Sequence, residues 1–310
     1  MRKLSTEQRA SILTALVEGN SLASTTRMLG ASKVTILRLL ADAGTLARKY
    51  HDANVRCLEL EHVQCDEIWS FVHCKRNNTP EHLKGMPGIG DTWTWTAIDA
   101  DSKLMCDWMV GHRDSMNAYQ FMTSLAPRFS NKIQLTSDGH HAYKNAVGTM
   151  FDLNNGCDYS QCIKDYVDEP GPRNKAPGKY SPGRVTSMEV KVWWGTPDTD
   201  RISTSNVERA NLTMRMGMRR FTRLTNAFSK KIENHQHSIA LHFFHYNFIR
   251  KHMSIKTTPA VMAGLASEPW TMLDFVKMLE REEEMAGGRI TDYKPAASKR
   301  IGNQTENSAT

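Results

Sequence analysis

A chain of 310 residues with 40% hydrophobic content can bury a sizeable core, which excludes global disorder. Its net charge of +7 suits a polyanionic partner, and no apolar run nears the roughly 20 residues of a membrane span. The opening Met-Arg-Lys-Leu-Ser-Thr-Glu lacks the apolar stretch of a secretion signal, and the six cysteines form no CxxC pair, so reduced intracellular thiols are expected.

From Thr6 to Gly19 the apolar Ile12, Leu13, Leu16 and Val17 recur at helical spacing behind a capping Ser5 or Thr6. Ser21 to Met28 predicts a second short helix, Gly30 a turn, and Lys33 to Ala43 a third helix. The run from Leu22 to Leu40 resembles a helix-turn-helix, with Val34 and Leu37 packing inward. Ser32, Lys33, Thr35 and Arg38 then face DNA. Residues 44–60 read as a partly helical linker.

His62 to His73 carries the β-formers Val63, Ile68, Trp69, Phe71 and Val72, and places Asp66 in mid-strand. An acid there is costly unless paired or bound to a metal. Glu67 adjoins it, and strand alternation sends the two to opposite faces, so only one is expected to serve a given site. Thr92 to Ala100 and Leu104 to Gly111 continue as strands of an antiparallel meander. Ser115 to Phe129 follows as a helix, Ile133 to Gly139 as a strand ending in Asp138-Gly139, His140 to Met150 as a helix, and Gly156 to Val167 as a fifth strand. Residues 168–184 form a cationic Pro/Gly-rich loop, and 185–194 a small strand pair.

Ser203, Thr204 and Ser205 can then cap a helix running to Gly217, with Glu208 in its first turns. Glu208, Asn211 and Arg215 share one of its faces. Ile232 to His252 reads as a long helix docked on the core, where His242 and His245 are ring-packing or phosphate-contacting residues sooner than metal ligands. Trp270 to Met285 is a further helix, ending in the acidic run 280–284, expected to be solvated or to meet a second subunit. The last residues, 289–310, read as a disordered tail.

Asp66, Asp138 and Glu208 thus fall on separate elements, as hard oxygen ligands for a pair of divalent ions must. The blocks Cys65-Asp66-Glu67-Ile68-Trp69-Ser70-Phe71-Val72, Thr136-Ser137-Asp138-Gly139-His140-His141-Ala142-Tyr143-Lys144 and Ser205-Asn206-Val207-Glu208-Arg209-Ala210-Asn211-Leu212-Thr213-Met214-Arg215 resemble the DDE transposases of bacterial insertion sequences, in the class named after the first such element. The resemblance covers about residues 60–250. It implies an α+β protein with a ribonuclease-H-like five-stranded mixed sheet, an N-terminal helix-turn-helix and a helical C-terminal extension. The expected divisions are 1–45, a linker 46–60, a catalytic domain 61–255 with its insert near 168–184, an extension 256–288 and the tail 289–310.

The resemblance selects Asp66 over Glu67 and assigns Asp66, Asp138 and Glu208 as catalytic ligands of two Mg²⁺ ions, with Mn²⁺ as a substitute. Arg209, Asn211, Arg215, Arg219, Arg220 and Arg223 join the helix-turn-helix residues as DNA contacts. The implied partners are transposon-end and target DNA, in a homodimer or higher oligomer, in the cytoplasm at the nucleoid and away from membranes. The competing readings are a nuclease or resolvase of the same fold, and a non-catalytic helix-turn-helix regulator.

Overall fold

The computed structural model describes residues 4–167, 184–222 and 225–292. Three helices open the chain: α1 (Thr6–Val17), α2 (Leu22–Leu29) and α3 (Lys33–Asn54). Each starts on a serine. Ser5 forms a capping box with Gln8, Ser21 accepts from the Ser24 amide, and Ser32 accepts from the Thr35 amide. Gly30, at φ 67°, ends α2 in the left-handed region that glycine enters at little cost. α3 continues through most of the stretch read as a linker. Its buried apolar positions run from Ile36, Leu39 and Leu40 through Ala43 to Leu46 and Ala47, whereas Val34, expected to pack inward, is exposed.

The centre is a sheet of β1 (His62–Val72), β2 (Gly90–Asp99), β3 (Met105–Gly111), β4 (Ile133–Asp138), β5 (Cys157–Val167) and β6 (Arg184–Trp194). Its order is β3-β2-β1-β4-β5-β6. β1, β2 and β3 pair antiparallel, while β4 runs parallel to β1 and β5 parallel to β4. That antiparallel meander joined to parallel strands is the ribonuclease-H-like mixed sheet. Two expectations are corrected. The sheet has six strands where five were expected, and residues 185–194, read as a small strand pair, form one long strand antiparallel to β5.

Alternation along β1 and β2 divides the core into two layers. On one face Trp95 packs with Phe121 of α4 (Ser115–Leu125) and Tyr143 of α5 (Ala142–Asp152). On the other, Thr96 meets Asn211 of α6 (Ser205–Gly217), and Trp108 meets Phe243 of α7 (Ile232–Phe244). α7 ends in a π turn, His245–Ile249, and α8 (Pro259–Met262) follows. α9 (Met272–Met285) packs Phe275 on Phe244, with ring centroids 4.4 Å apart. None of the described helices is long and apolar enough to cross a membrane.

Candidate active site

The sheet register brings the acids together. Cys65 of β1 lies opposite Ser137 of β4, so the next residues, Asp66 and Asp138, adjoin where β4 ends. Gly139 then turns the chain close against β5: a Cβ there would stand 3.1 Å from Ile163 Cγ1. From the far side comes the start of α6, carrying Glu208. Asp66, Asp138 and Glu208 line one cleft of about 450 Å³ together with Arg113, His140, Cys162, Lys164 and Thr204.

Each acid has its own support. Asn211 donates its side-chain amide to Asp66 Oδ2 at 2.8 Å. Asp138 Oδ1 accepts the His140 amide at 3.0 Å, and its Oδ2 accepts Arg113 Nη2 at 3.1 Å. Glu208 accepts the Thr204 hydroxyl at 2.6 Å and pairs with Lys164. The Gln161 amide donates to the carbonyls of Asp138 and His140 at 2.9 and 3.1 Å, which pins the turn, and Trp193 in turn donates to Gln161 at 2.9 Å.

Glu67 departs from expectation. It does point to the opposite face from Asp66, yet one oxygen each of Asp66, Glu67 and Asp138 lies within 4.8 Å of the others. Both faces reach Asp138 because it stands at the end of its strand. Arg113, stacked over Trp93, links the pair by donating Nε to Glu67 Oε2 at 2.7 Å. Glu208 is outside this tight group and forms the opposite wall.

The electrostatics follow from crowding acids in a desolvated cleft. Burial, then the charge of Asp138, raises the Asp66 pKa to about 7, with Glu208 adding to the rise. Burial and Asp138 likewise bring Glu67 to about 7, against the opposing effects of Tyr143 and Arg113. Burial also raises Asp138. His140 is pushed down to about 4, by burial first and then by Arg113 and His141. Glu67 Oε1 is buried without a hydrogen-bond partner. Clustered hard oxygens short of positive charge fit a divalent cation.

Of the expected DNA contacts, Ser32, Lys33 and Arg38 are exposed on α3 and Thr35 is half-buried. Arg209 and Arg219 are exposed, while Arg215 and Arg220 are half-buried, with Arg220 donating to Ser229 at 2.9 Å. Arg223 and the loop 168–183 lie outside the described residues. Asn211 requires a correction: it is 3% exposed, turned inward, and committed to Asp66 and Thr96. Its position, three residues after Glu208, faces the sheet and not solvent. No cysteine joins a metal-ligating group among the described residues.

Arg113, Lys164 and Gln161 carry no motif or spacing that marks them in the sequence. Only their partners across the sheet mark them.

No protein-family model and no curated protein matches the chain. Among solved structures it is similar to a piggyBac transposase synaptic complex with hairpin DNA: 11% identity over 98% of this chain and 80% of that one, with a TM-score of 0.43. A Mos1 transposase paired-end complex with the left transposon end matches at 12% identity and a TM-score of 0.20, over 51% of this chain and 60% of that one. A Mos1 mariner paired-end complex with Mn gives 10% identity, the same coverage and a TM-score of 0.20.

Proposed function

We propose that the chain is a DNA transposase of the DDE type, of the bacterial insertion-sequence class, which cleaves DNA at element ends and joins the freed 3′ hydroxyl to target DNA. The observation supporting this reading is the single cleft that Asp66, Asp138 and Glu208 line at the end of β4 in a ribonuclease-H-like sheet. These three would hold two Mg²⁺ ions, or Mn²⁺ in their place. Divalent ions bound there supply Lewis-acid stabilisation of charge at a phosphoryl oxygen and ease deprotonation of an attacking hydroxyl.

The protein's own residues organise the rest. Asn211 fixes the rotamer of Asp66, and Arg113 bridges Asp138 and Glu67 and offsets the repulsion between the two acids. Lys164, at the cleft beside Glu208, supplies positive charge for a phosphate. Arg209, Arg215, Arg219, Arg220 and Arg223 follow Glu208 and hold flanking backbone. Ser32, Lys33, Thr35 and Arg38 take the DNA from a helix-turn-helix in residues 1–45. In this reading residues 61–255 are the catalytic domain, α3 carries the chain toward it from the helix-turn-helix, and 256–288 are a helical extension. A homodimer or higher oligomer works on paired ends at the nucleoid.

The test is incubation of the purified full chain with Mg²⁺, labelled element-end DNA and a target plasmid. Joined products are expected from the wild type. Asp138→Asn should lose joining by at least about a thousandfold while still binding end DNA. Cleavage without joining would make the protein a nuclease or resolvase; binding without cleavage would make it a regulator. Full activity of Asp138→Asn would remove the acid from the mechanism.

A further inference from the structure

A second cleft, of about 360 Å³, lies between the N-terminal helices and the start of α7, apart from the acid cleft. Three helices begin at its walls: α2 at Leu22, α3 at Lys33, and α7 shortly after Lys230. Helix starts carry partial positive charge and unpaired amides, and the first turn of α7 has no side-chain cap. Lys33, Arg219, Arg220 and Lys230 add four cations, and among the described residues no Asp or Glu lines the cleft. Ser229 holds Arg220 at 2.9 Å, and Lys230 Nζ sits 3.6 Å from the centroid of the Phe228 ring. Walls of this kind favour negative charge.

Two further features exclude a bare anion as the occupant. Leu22, Leu37 and Phe228 make part of the lining apolar, and Phe228 packs on Phe71 with ring centroids 4.8 Å apart. Asn234, in the first turn of α7, is 7% exposed, and its Oδ1 is buried without a hydrogen-bond partner. A buried acceptor left unpaired is costly and calls for a donor from whatever enters. The occupant must therefore combine an anion, an apolar body and an N–H or O–H.

We propose that this cleft binds a single nucleotide, its base on the apolar lining with an N–H on Asn234 Oδ1 and its phosphate among Lys33, Arg219, Arg220 and Lys230. Every unpaired DNA base offers an N–H on its pairing edge. The volume is at the lower end of ligand pockets, about 300–1,000 Å³, which suits one nucleotide and not a duplex. Such a unit comes either as a free nucleotide or as an unpaired residue of a DNA strand. A strand has a path to it: Gly217, two residues before Arg219, stands about 14 Å along α6 from Glu208 at about 1.5 Å per residue. Phe228, Lys230 and Asn234 have no part in the catalytic reading, and the site stands without it.

Calorimetric titration of the full chain without divalent ions tests it, so the result is separate from that of the joining assay. The probes are the four deoxynucleoside 5′-monophosphates and deoxyribose 5-phosphate, which keeps the anion and lacks the base. At least one nucleotide should bind about tenfold or more tighter than deoxyribose 5-phosphate. Asn234→Leu should weaken that nucleotide at least about fivefold and leave deoxyribose 5-phosphate unchanged, with no loss of urea stability because no hydrogen bond is removed. Lys230→Ala, on the exposed rim, should weaken both probes alike. Displacement of the bound nucleotide by a single-stranded oligonucleotide of the same base identifies a strand as the source, and failure of the oligonucleotide to displace it identifies the free nucleotide. Nucleotides bound no tighter than deoxyribose 5-phosphate, or an Asn234→Leu protein that keeps the wild-type preference for the nucleotide, would overturn the proposal.

Discussion

The pKa values of the cleft make a prediction about cation binding. Asp66 and Glu67 are both raised to about 7, by burial first and by the charge of Asp138 second. At pH 6 such groups are mostly protonated, and a cation must displace those protons; at pH 8 they are mostly ionised. Divalent affinity should therefore rise with pH, by at least about tenfold from pH 6 to pH 8. Calorimetric titration with Mn²⁺, in buffers of different ionisation enthalpy, reads both the affinity and the protons released, which should approach one or more at pH 6. Asp66→Asn should abolish most of the heat. An affinity flat across this range would mean that the acids do not receive the cation. At this scale Asp66 and Asp138 were legible because each is an acid placed where a strand would otherwise be apolar or turning. The contribution of Glu67 was not. Alternation says correctly that it points away from Asp66, but it cannot say that a neighbouring strand ends beside both.

At the scale of elements, α7 carries an acid sensitivity. His235 is held between the hydroxyls of Ser70 and Ser229, at 3.1 and 3.0 Å. His242 is 3% exposed, packed on Phe243, and neither of its ring nitrogens has a partner. Burial, the largest cause in each case, lowers His235 and His242 to about 3 and His245 to about 4. The sign follows from where protons bind. These histidines are neutral when folded, but in the unfolded chain they take protons below about pH 6.5. Stability is thus whole above pH 6.5 and falls as the pH drops toward the folded values, by up to about 1.4 kcal/mol per pH unit for each histidine. The raised acids of the cleft act in the opposite sense, so a substitution isolates the effect better than a bare profile. His242→Leu should flatten urea stability measured between pH 6.5 and 4.5 by close to one proton's slope, with little loss at pH 7.5 because no hydrogen bond is removed. An unchanged slope would count against a buried neutral ring. Elements of this kind were readable wherever a period was strong: β1 through β5, α4, α5 and α6 fall within a few residues of their predicted spans. The two departures have separate causes. α3 outruns the span read for it because its later turns lean on α7, and β6 was split because its alternation carries polar and apolar residues that are both exposed.

At the scale of the whole molecule, the acidic end of α9 holds the N-terminal helices on the core. Neither a solvated face nor a second subunit is needed to explain it. Glu280 accepts the Thr6 hydroxyl at 2.9 Å and Arg9 Nη1 at 3.3 Å, Glu283 pairs with Arg9, and Lys49 reaches Glu282 at 2.6 Å. Just beyond the helix, Arg289 grips Asp42 of α3 at 2.9 and 3.0 Å. The same helix buries Phe275, Val276 and Leu279, while Trp270, just before it, stacks edge-on to Tyr50 of α3 at 5.3 Å. The charges differ sharply in worth. Arg9 and Glu283 have side chains only 9% and 12% exposed, so removing one partner strands the other away from water. Glu284 is exposed and has no such pairing. Glu283→Ala should cost about 2–3 kcal/mol, since Glu280 still shares the load of Arg9, whereas Glu284→Ala should stay within about 0.5 kcal/mol. The loss from Glu283→Ala should also be largely insensitive to added salt, because a pair this enclosed is poorly screened. Chemical denaturation of the three proteins at low and high salt makes the comparison. Equal costs for the two substitutions, or a Glu283 effect that vanishes in salt, would show that α9 is held by its apolar face alone and that its acids are solvated.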